Sequence, residues 1–470
     1  MANMLKRDLE ALVRRIEAAD GARVASDPWR QRFHLESPVG WLNDPNGLCR
    51  WGEWYHIFYQ YSPFDARGGI KLWGHYRSRD LLHFERLQPM LYPDQPWDLH
   101  GVYSGSALVE DDAMYLYYTG NVKHEGDFDY ITAGRGHNTA LAVSRDGVTV
   151  ERKTLLLENR DYPADLTCHV RDPKVWAQDG RYYLVLGART REDRGVLLVY
   201  ESADKYHWKL QNRITTPEKF GYMWECPDLY CLDGRWFLQC SPQGVARQGD
   251  KYQNVYTCGY FPLHGDFRGA CRLDAFTELD SGFDFYAPQT FLDGQRRLLI
   301  GWLGMPDAPY ENPTAARGWQ HCLSVPCVLE RAGERVRRLP APELKALRRG
   351  AVAPQDAQVF DLEAETELRG RLAIRDSAVV AWEQGRLTLT LTQGGYGRDT
   401  RVLEVEQVHS LRVLADTTSL EIFVNGGEGV LSTRYYPNPE QRGVTVEGAA
   451  AKLWEMGAIT MTENWEGTTK

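Results

Sequence analysis

The chain has 470 residues, with 55 basic against 64 acidic side chains and a formal net charge of −9. That balance argues against nucleic acid or an anionic membrane as the main partner, and the length leaves room for two domains. Aromatic residues are abundant, with 15 Trp and 25 Tyr, which suits β-rich packing, sugar-stacking surfaces, or both.

At the N-terminus, Leu5, Leu9, Leu12, Val13 and Ile16 fall on one helical face, and Gly21 is placed to end the helix. Charged residues interrupt residues 3–20 throughout, so a signal peptide is not expected. The pattern predicts instead a helix docked on the protein's own surface. No stretch approaches the ~18 apolar residues of a membrane span. Nine cysteines without metal-ligand spacing read as reduced thiols. A cytoplasmic location is the expectation that follows.

Five segments then repeat a polar or Gly turn followed by alternating aromatic and aliphatic residues. They begin at Trp51, Asp111, Asp179, Asp233 and Asp293, and each turn reads as a tight connection between strands. A second recurring element, Ser78-Arg-Asp80, Ser144-Arg-Asp146 and Ser202-Ala-Asp204, reads as another turn. Spacings of roughly 55–70 residues fit one four-stranded blade plus loops. An all-β fold is predicted: a five-bladed β-propeller over 31–340, after an N-terminal helix and lead-in over 1–30. An ordinary β-sandwich with several hairpins is the alternative. A Pro-flanked linker is expected over 341–352. Short alternating strands predict a β-sandwich over 353–470, buttressing the first domain or mediating assembly.

Three carboxylates stand out for their stiff surroundings. Asp44 lies in Asn43-Asp44-Pro45-Asn46-Gly47, where it could equally nucleate a turn. Asp172 lies between Arg171 and Pro173, where a neighbouring cation is expected to hold it ionised. Glu225 lies between Trp224 and Cys226-Pro227, an apolar setting suited to a general acid. Loops of a propeller converge on one end of its channel, so motifs far apart in sequence can meet there. Two facing carboxylates suffice for glycoside hydrolysis, often with a third fixing the ring.

Together these segments closely resemble those of glycoside hydrolase family 32. Phe58-Tyr-Gln60, Trp73-Gly-His75, Tyr103-Ser-Gly-Ser106, Asp284-Phe-Tyr-Ala-Pro-Gln289, Ile300-Gly-Trp302 and Ser419-Leu-Glu-Ile-Phe-Val-Asn425 follow in the family's order. The resemblance implies a five-bladed propeller with a C-terminal β-sandwich. It implies a retaining β-fructofuranosidase in which Asp44 is the nucleophile, Glu225 the acid/base and Asp172 the transition-state stabiliser beside Arg171. Retention in turn calls for carboxyl groups about 5–5.5 Å apart. Asn43, Gln60, Tyr103 and Ser104 match residues lining a fructose pocket. Trp41, Trp73 and Trp302 are expected as walls, with core packing as the alternative for each. Many bacterial members carry Trp eight residues after the Gln of Phe-Tyr-Gln, where this chain has Gly68. That change puts the pocket wall in question.

The implied substrates are sucrose or sucrose 6-phosphate, the stretches Gly221–Glu225 and Phe285–Gln289 looking most like the bacterial sucrose-6-phosphate hydrolase group. An exo-acting hydrolase of short fructo-oligosaccharides, a fructosyltransferase and a non-catalytic sugar-binding propeller are the competing readings. No metal or organic cofactor is implied. The partner expected is a small sugar, not nucleic acid or membrane, and a homo-oligomer is left open.

Overall fold

Alternating aromatic and aliphatic residues give the chain its strands, and Asp-Gly pairs give it its turns. The computed structural model describes residues 3–465. Between residues 40 and 340 the strands group into five sheets taken in sequence order. The first is built from Gly40–Trp51, Trp54–Ser62, Leu72–Ser78 and His83–Leu91, each antiparallel to the next. The opening strands of the other four are Val102–Glu110, Leu166–Gln178, Met223–Leu232 and Tyr286–Asp293. Opening strands touch one another in order, and the last touches the first. The sheets therefore surround a central axis as a β-propeller. Trp319–Gln320 pairs in parallel with Gly40 and Trp41, fastening the end of the ring to its start.

The five repeated segments are the second strands of these sheets, such as Ala113–Lys123, Arg181–Thr190 and Arg235–Gln243. Their turns have the backbone that Asp-Gly favours: Asp179 and Gly180 have φ of 53° and 70°, Asp233 and Gly234 of 46° and 77°. The Ser-x-Asp elements are turns closed by their own side chains. In each, the Asp carboxylate accepts backbone N–H groups two and three residues on.

The N-terminal helix runs from Met4 to Ala25, past the stop expected at Gly21. Nothing packs against Gly21, and one glycine in a helix interior costs only about 1 kcal/mol. Burial of Val24 on the following turn, beside Val13, outweighs that. Of the expected apolar face, Leu9 and Ile16 are packed, but Leu5 and Leu12 are exposed. The buried Glu17 accepts from Tyr61 at 2.7 Å and from Arg86 at 2.8 Å, so the helix is docked by a charge pair as well as by apolar contact.

Beyond the propeller, Phe360–Ile374 and Val444–Met456 are long strands whose mutual register breaks between Thr366 and Arg371. The first half of Phe360–Ile374 pairs with Ser410–Ala415 and the second with Ala378–Glu383. A single hydrogen-bonded sheet thereby folds over on itself into a sandwich, with Leu362, Leu372, Leu389 and Ile422 in its core. The stretch expected as a linker is ordered: a 3₁₀ turn at Pro342–Leu347, then a strand, Arg348–Ala351, on the sandwich edge. Thr460–Glu463 leaves the sandwich and pairs with His83–Leu91 of the propeller.

The two parts meet through buried ions. Arg398 holds both Asp284 oxygens, at 2.7 and 2.8 Å, and Arg338 reaches Glu421 of the sandwich at 3.6 Å and donates to Ser432 at 2.9 Å. The His34 ring bridges Asp416 at 2.8 Å and Glu421 at 3.0 Å. Among the described residues no helix is long and apolar enough to cross a membrane, and all nine cysteines are unbridged.

Candidate active site

Each opening strand breaks register with its neighbour at the same level of the ring. The breaks fall at Leu42/Pro45, Tyr103/Gly105, opposite Asp172-Pro173, at Glu225/Asp228 and at Tyr286/Gln289. The dipeptides there are Asp44-Pro45, Ser104-Gly105, Asp172-Pro173, Cys226-Pro227 and Ala287-Pro288. Proline has no N–H to give a ladder, so it belongs at a bulge, and a bulge re-aims the side chain beside it. The exception is Gly105, where an added Cβ would lie 1.9 Å from the Tyr117 carbonyl oxygen. Asp172, Cys226 and Ala287 sit at φ of 64°, 46° and 47°, a left-handed backbone that costs each roughly 1–2 kcal/mol. These bulges turn residues of five sheets towards one end of the axis.

What they assemble is a cluster of carboxyls around one guanidinium. Asp44 Oδ2 accepts from the Ser104 hydroxyl and, at 3.7 Å, from the Cys226 thiol, while Oδ1 accepts from Asn43 Nδ2 at 3.1 Å. Asn43 also donates to Gln60 at 3.1 Å, Gln60 to Ser104 at 2.6 Å, and Trp41 Nε1 to Asn43 Oδ1 at 2.7 Å. Asp44 is thus fixed by a closed network. Burial pushes its carboxyl above the ordinary range. The Ser104 hydroxyl pulls it down, the Glu225 charge pushes it up, and the Asn43 amide and Lys71 ammonium lower it.

Glu225 Oε1 accepts from Arg171 at 2.5 Å and Oε2 from the Tyr286 hydroxyl at 2.6 Å. Its surroundings are polar, not the apolar setting expected from Trp224 and Cys226. Asp172 accepts the Cys226 N–H at 2.9 Å, and its own N–H donates to Thr119 Oγ1 at 2.9 Å. Arg171 Nε stands 3.8 Å from it. Burial lifts Asp172 to about 7; Arg171 opposes this, and the Glu225 and Asp44 charges add to it. The neighbouring cation therefore does not hold Asp172 at a low value, because burial wins. Three carboxyls thus crowd about one guanidinium, and facing carboxyls are what acid/base chemistry on a glycosidic bond uses.

The expected pocket residues divide. Trp41, Asn43, Gln60, Tyr103, Ser104 and Arg171 all surround the cluster. Trp73 does not form a wall: it is fully buried, packed on Phe58, and donates to the Tyr103 carbonyl at 3.1 Å. Trp302 lies behind Trp41, buried with His321. At Gly68 the missing aromatic is replaced by charge, since a Cβ there would lie 3.6 Å from Lys71 Nζ. That ammonium stands 4.8 Å over the Trp41 ring, and burial brings it down to about 7 against the pull of Asp44. Lys71, Cys226 and the Tyr286 contact had no assigned role in the sequence. Tyr286 lay inside a quoted motif, but nothing marked Lys71. Among the described residues, His264, Asp274 and Glu334 have metal-ligand spacing, yet their atoms are engaged by Arg235 and Arg272.

Comparison with known proteins gives a consistent picture. The profile described as "Glycosyl hydrolases family 32 N-terminal domain" matches residues 34–339, and "Glycosyl hydrolases family 32 C terminal" matches residues 359–458. The sucrose-6-phosphate hydrolase of Bacillus subtilis is 38% identical over 463 residues, covering 93% of this chain and 95% of the relative. That of Klebsiella pneumoniae is 39% identical over 429 residues, covering 88% and 90%. Among solved structures, the β-fructofuranosidase of Bombyx mori superposes with a TM-score of 0.85 at 29% identity, covering 98% of this chain and 100% of that one. The sucrose-6-phosphate hydrolase of Lactobacillus gasseri gives 0.87 at 26% identity, covering 95% and 96%.

Proposed function

The chain belongs to glycoside hydrolase family 32, and from that membership we propose a division of labour among its clustered carboxyls. The protein is a β-fructofuranosidase that hydrolyses sucrose or sucrose 6-phosphate. Asp44 attacks C2 of the fructofuranosyl group as the bond from C2 to the leaving oxygen breaks, and Glu225 gives that oxygen its proton. A fructosyl ester on Asp44 results. Glu225 then takes a proton from water, whose oxygen attacks C2 and frees Asp44, so fructose leaves with retained configuration. Asp172 holds the ring hydroxyls, and Arg171 and Tyr286 keep Glu225 in place.

The convergence of Asp44, Asp172 and Glu225 on bulged strands of three different sheets carries this reading. We take the propeller to be five-bladed and to hold all the chemistry within residues 31–340. Residues 353–470 serve as a buttress. With no apolar helix long enough for a membrane and no bridged cysteine among those described, the reading places the enzyme in a cytoplasm. Replacing Asp44 or Glu225 by Ala is expected to lower kcat by ~10³-fold or more with the fold intact. Wild-type turnover of sucrose and its 6-phosphate by either variant would remove the assignment.

A further inference from the structure

Strand pairing in the second sheet sets Lys123 directly opposite Arg135. Side chains so placed stand about 5 Å apart at Cβ, and like charges there repel. Among the described residues no carboxylate pairs with either cation; Lys123 reaches the face of Tyr130 at 5.4 Å, and Arg135 reaches only His169 Nε2, at 3.5 Å. The nearby Asp129 carboxylate is spent on backbone N–H groups of its own loop, at 2.8 Å from Ile131 and Thr132.

His169 cannot serve Arg135 as acceptor. Its Nδ1 faces Arg171 NH1 at 2.6 Å. Burial, with Arg171 and Arg135 beside it, brings the ring down to about 2, so it is neutral and has one acceptor nitrogen. Nε2 then carries the hydrogen, and donor meets donor at Arg135. The Arg135 Nε is buried without a partner. Two residues along the same strand face, His137 is 1% exposed, and neither ring nitrogen has a hydrogen-bond partner. Its ring lies 5.5 Å from His169 and 5.9 Å from Tyr103. Lys123, Arg135, His137, His169 and Arg171 therefore form a run of donors from the rim down to Glu225, short of acceptors along its outer half.

We propose that Arg135 and Lys123 form a phosphoryl-binding subsite, gripping the 6-phosphate of a phosphorylated leaving sugar. The subsite rests on Glu225 being the acid: that group must stand on the leaving-group side, and Arg171 ties the donor run to Glu225. A dianion supplies the acceptors that a guanidinium fork and an opposed ammonium lack. It also removes the repulsion between them. Free sucrose, without the charge, can do neither.

Initial rates on sucrose and on sucrose 6-phosphate, for wild type, Arg135→Gln and Lys123→Gln, test this together with direct calorimetric titration of inorganic phosphate. The expected result is a loss of about 10- to 100-fold in kcat/KM on the phosphorylated substrate per cation removed, with sucrose within about twofold of wild type. Phosphate binding is expected to weaken in step. Lys123 is exposed, so its variant keeps the test alive should Arg135→Gln fold poorly. Equal losses on both substrates, or no loss on sucrose 6-phosphate, overturn the subsite. A wild-type enzyme with no preference between the two does the same while leaving the catalytic roles standing. Conversely, phosphate binding that depends on Arg135 in a protein that hydrolyses neither sugar supports the subsite and removes the catalytic reading.

Discussion

Charge crowding governs the site at the scale of single residues. Asp44 is raised by burial, and the Lys71 ammonium is one of the forces opposing that rise. Burial brings Lys71 down to about 7, so its ammonium is charged on the acid side of neutrality. Removing it takes away a stabiliser of the Asp44 carboxylate, which moves the Asp44 pKa upward. Lys71→Met should therefore shift the acid limb of the kcat/KM profile to higher pH by about half to one unit; an unmoved limb rules Lys71 out as a neighbour that matters. The carboxylates were legible in the sequence because each stood within two residues of a proline. Their surroundings were not. Trp224 and Cys226 flank Glu225 along a strand, and side chains next in sequence point to opposite faces. The groups that do meet Glu225, Arg171 and Tyr286, come from other sheets.

At the scale of elements, the repeated second strands and their Asp-Gly turns were readable, since turn chemistry and period-two alternation are local. The shared bulge on all five opening strands was less so, because Ser104-Gly105 departs from the Xaa-Pro pattern of the other four. The helix end at Gly21 was misplaced for the reverse reason: a local signal yielded to a contact between distant segments. The lead-in after the helix shows how strongly such contacts can bind. Burial opposes charge on His34, yet hydrogen bonds to Asp416 and Glu421 lift it from 6.5 to about 9. A pKa raised in the folded state gives stability that is complete below about 6.5 and lost as pH climbs through about 9. The unfolding free energy should fall by about 3 kcal/mol across that window, read from denaturation at each pH. His34→Gln should start lower and lose the slope; a variant with the wild-type slope places the titration elsewhere.

On the scale of the whole molecule, the ring of sheets brings together residues from positions 44, 172 and 225, and the sandwich locks the outside. The quoted motif Asp284–Gln289 serves both ends of this arrangement. Asp284 grips Arg398 of the sandwich, while Tyr286 steadies Glu225. Sequence similarity marks such a stretch without saying which residue faces which way. In the proposed mechanism Asp44 and Glu225 work from opposite sides of one glycosidic bond, through a fructosyl-enzyme. Hydrolysis of sucrose in aqueous methanol tests this most directly, because a methyl fructoside keeps the configuration in which it forms and NMR reads its anomer. Methyl β-D-fructofuranoside is the predicted product, and the α anomer would contradict the covalent role of Asp44.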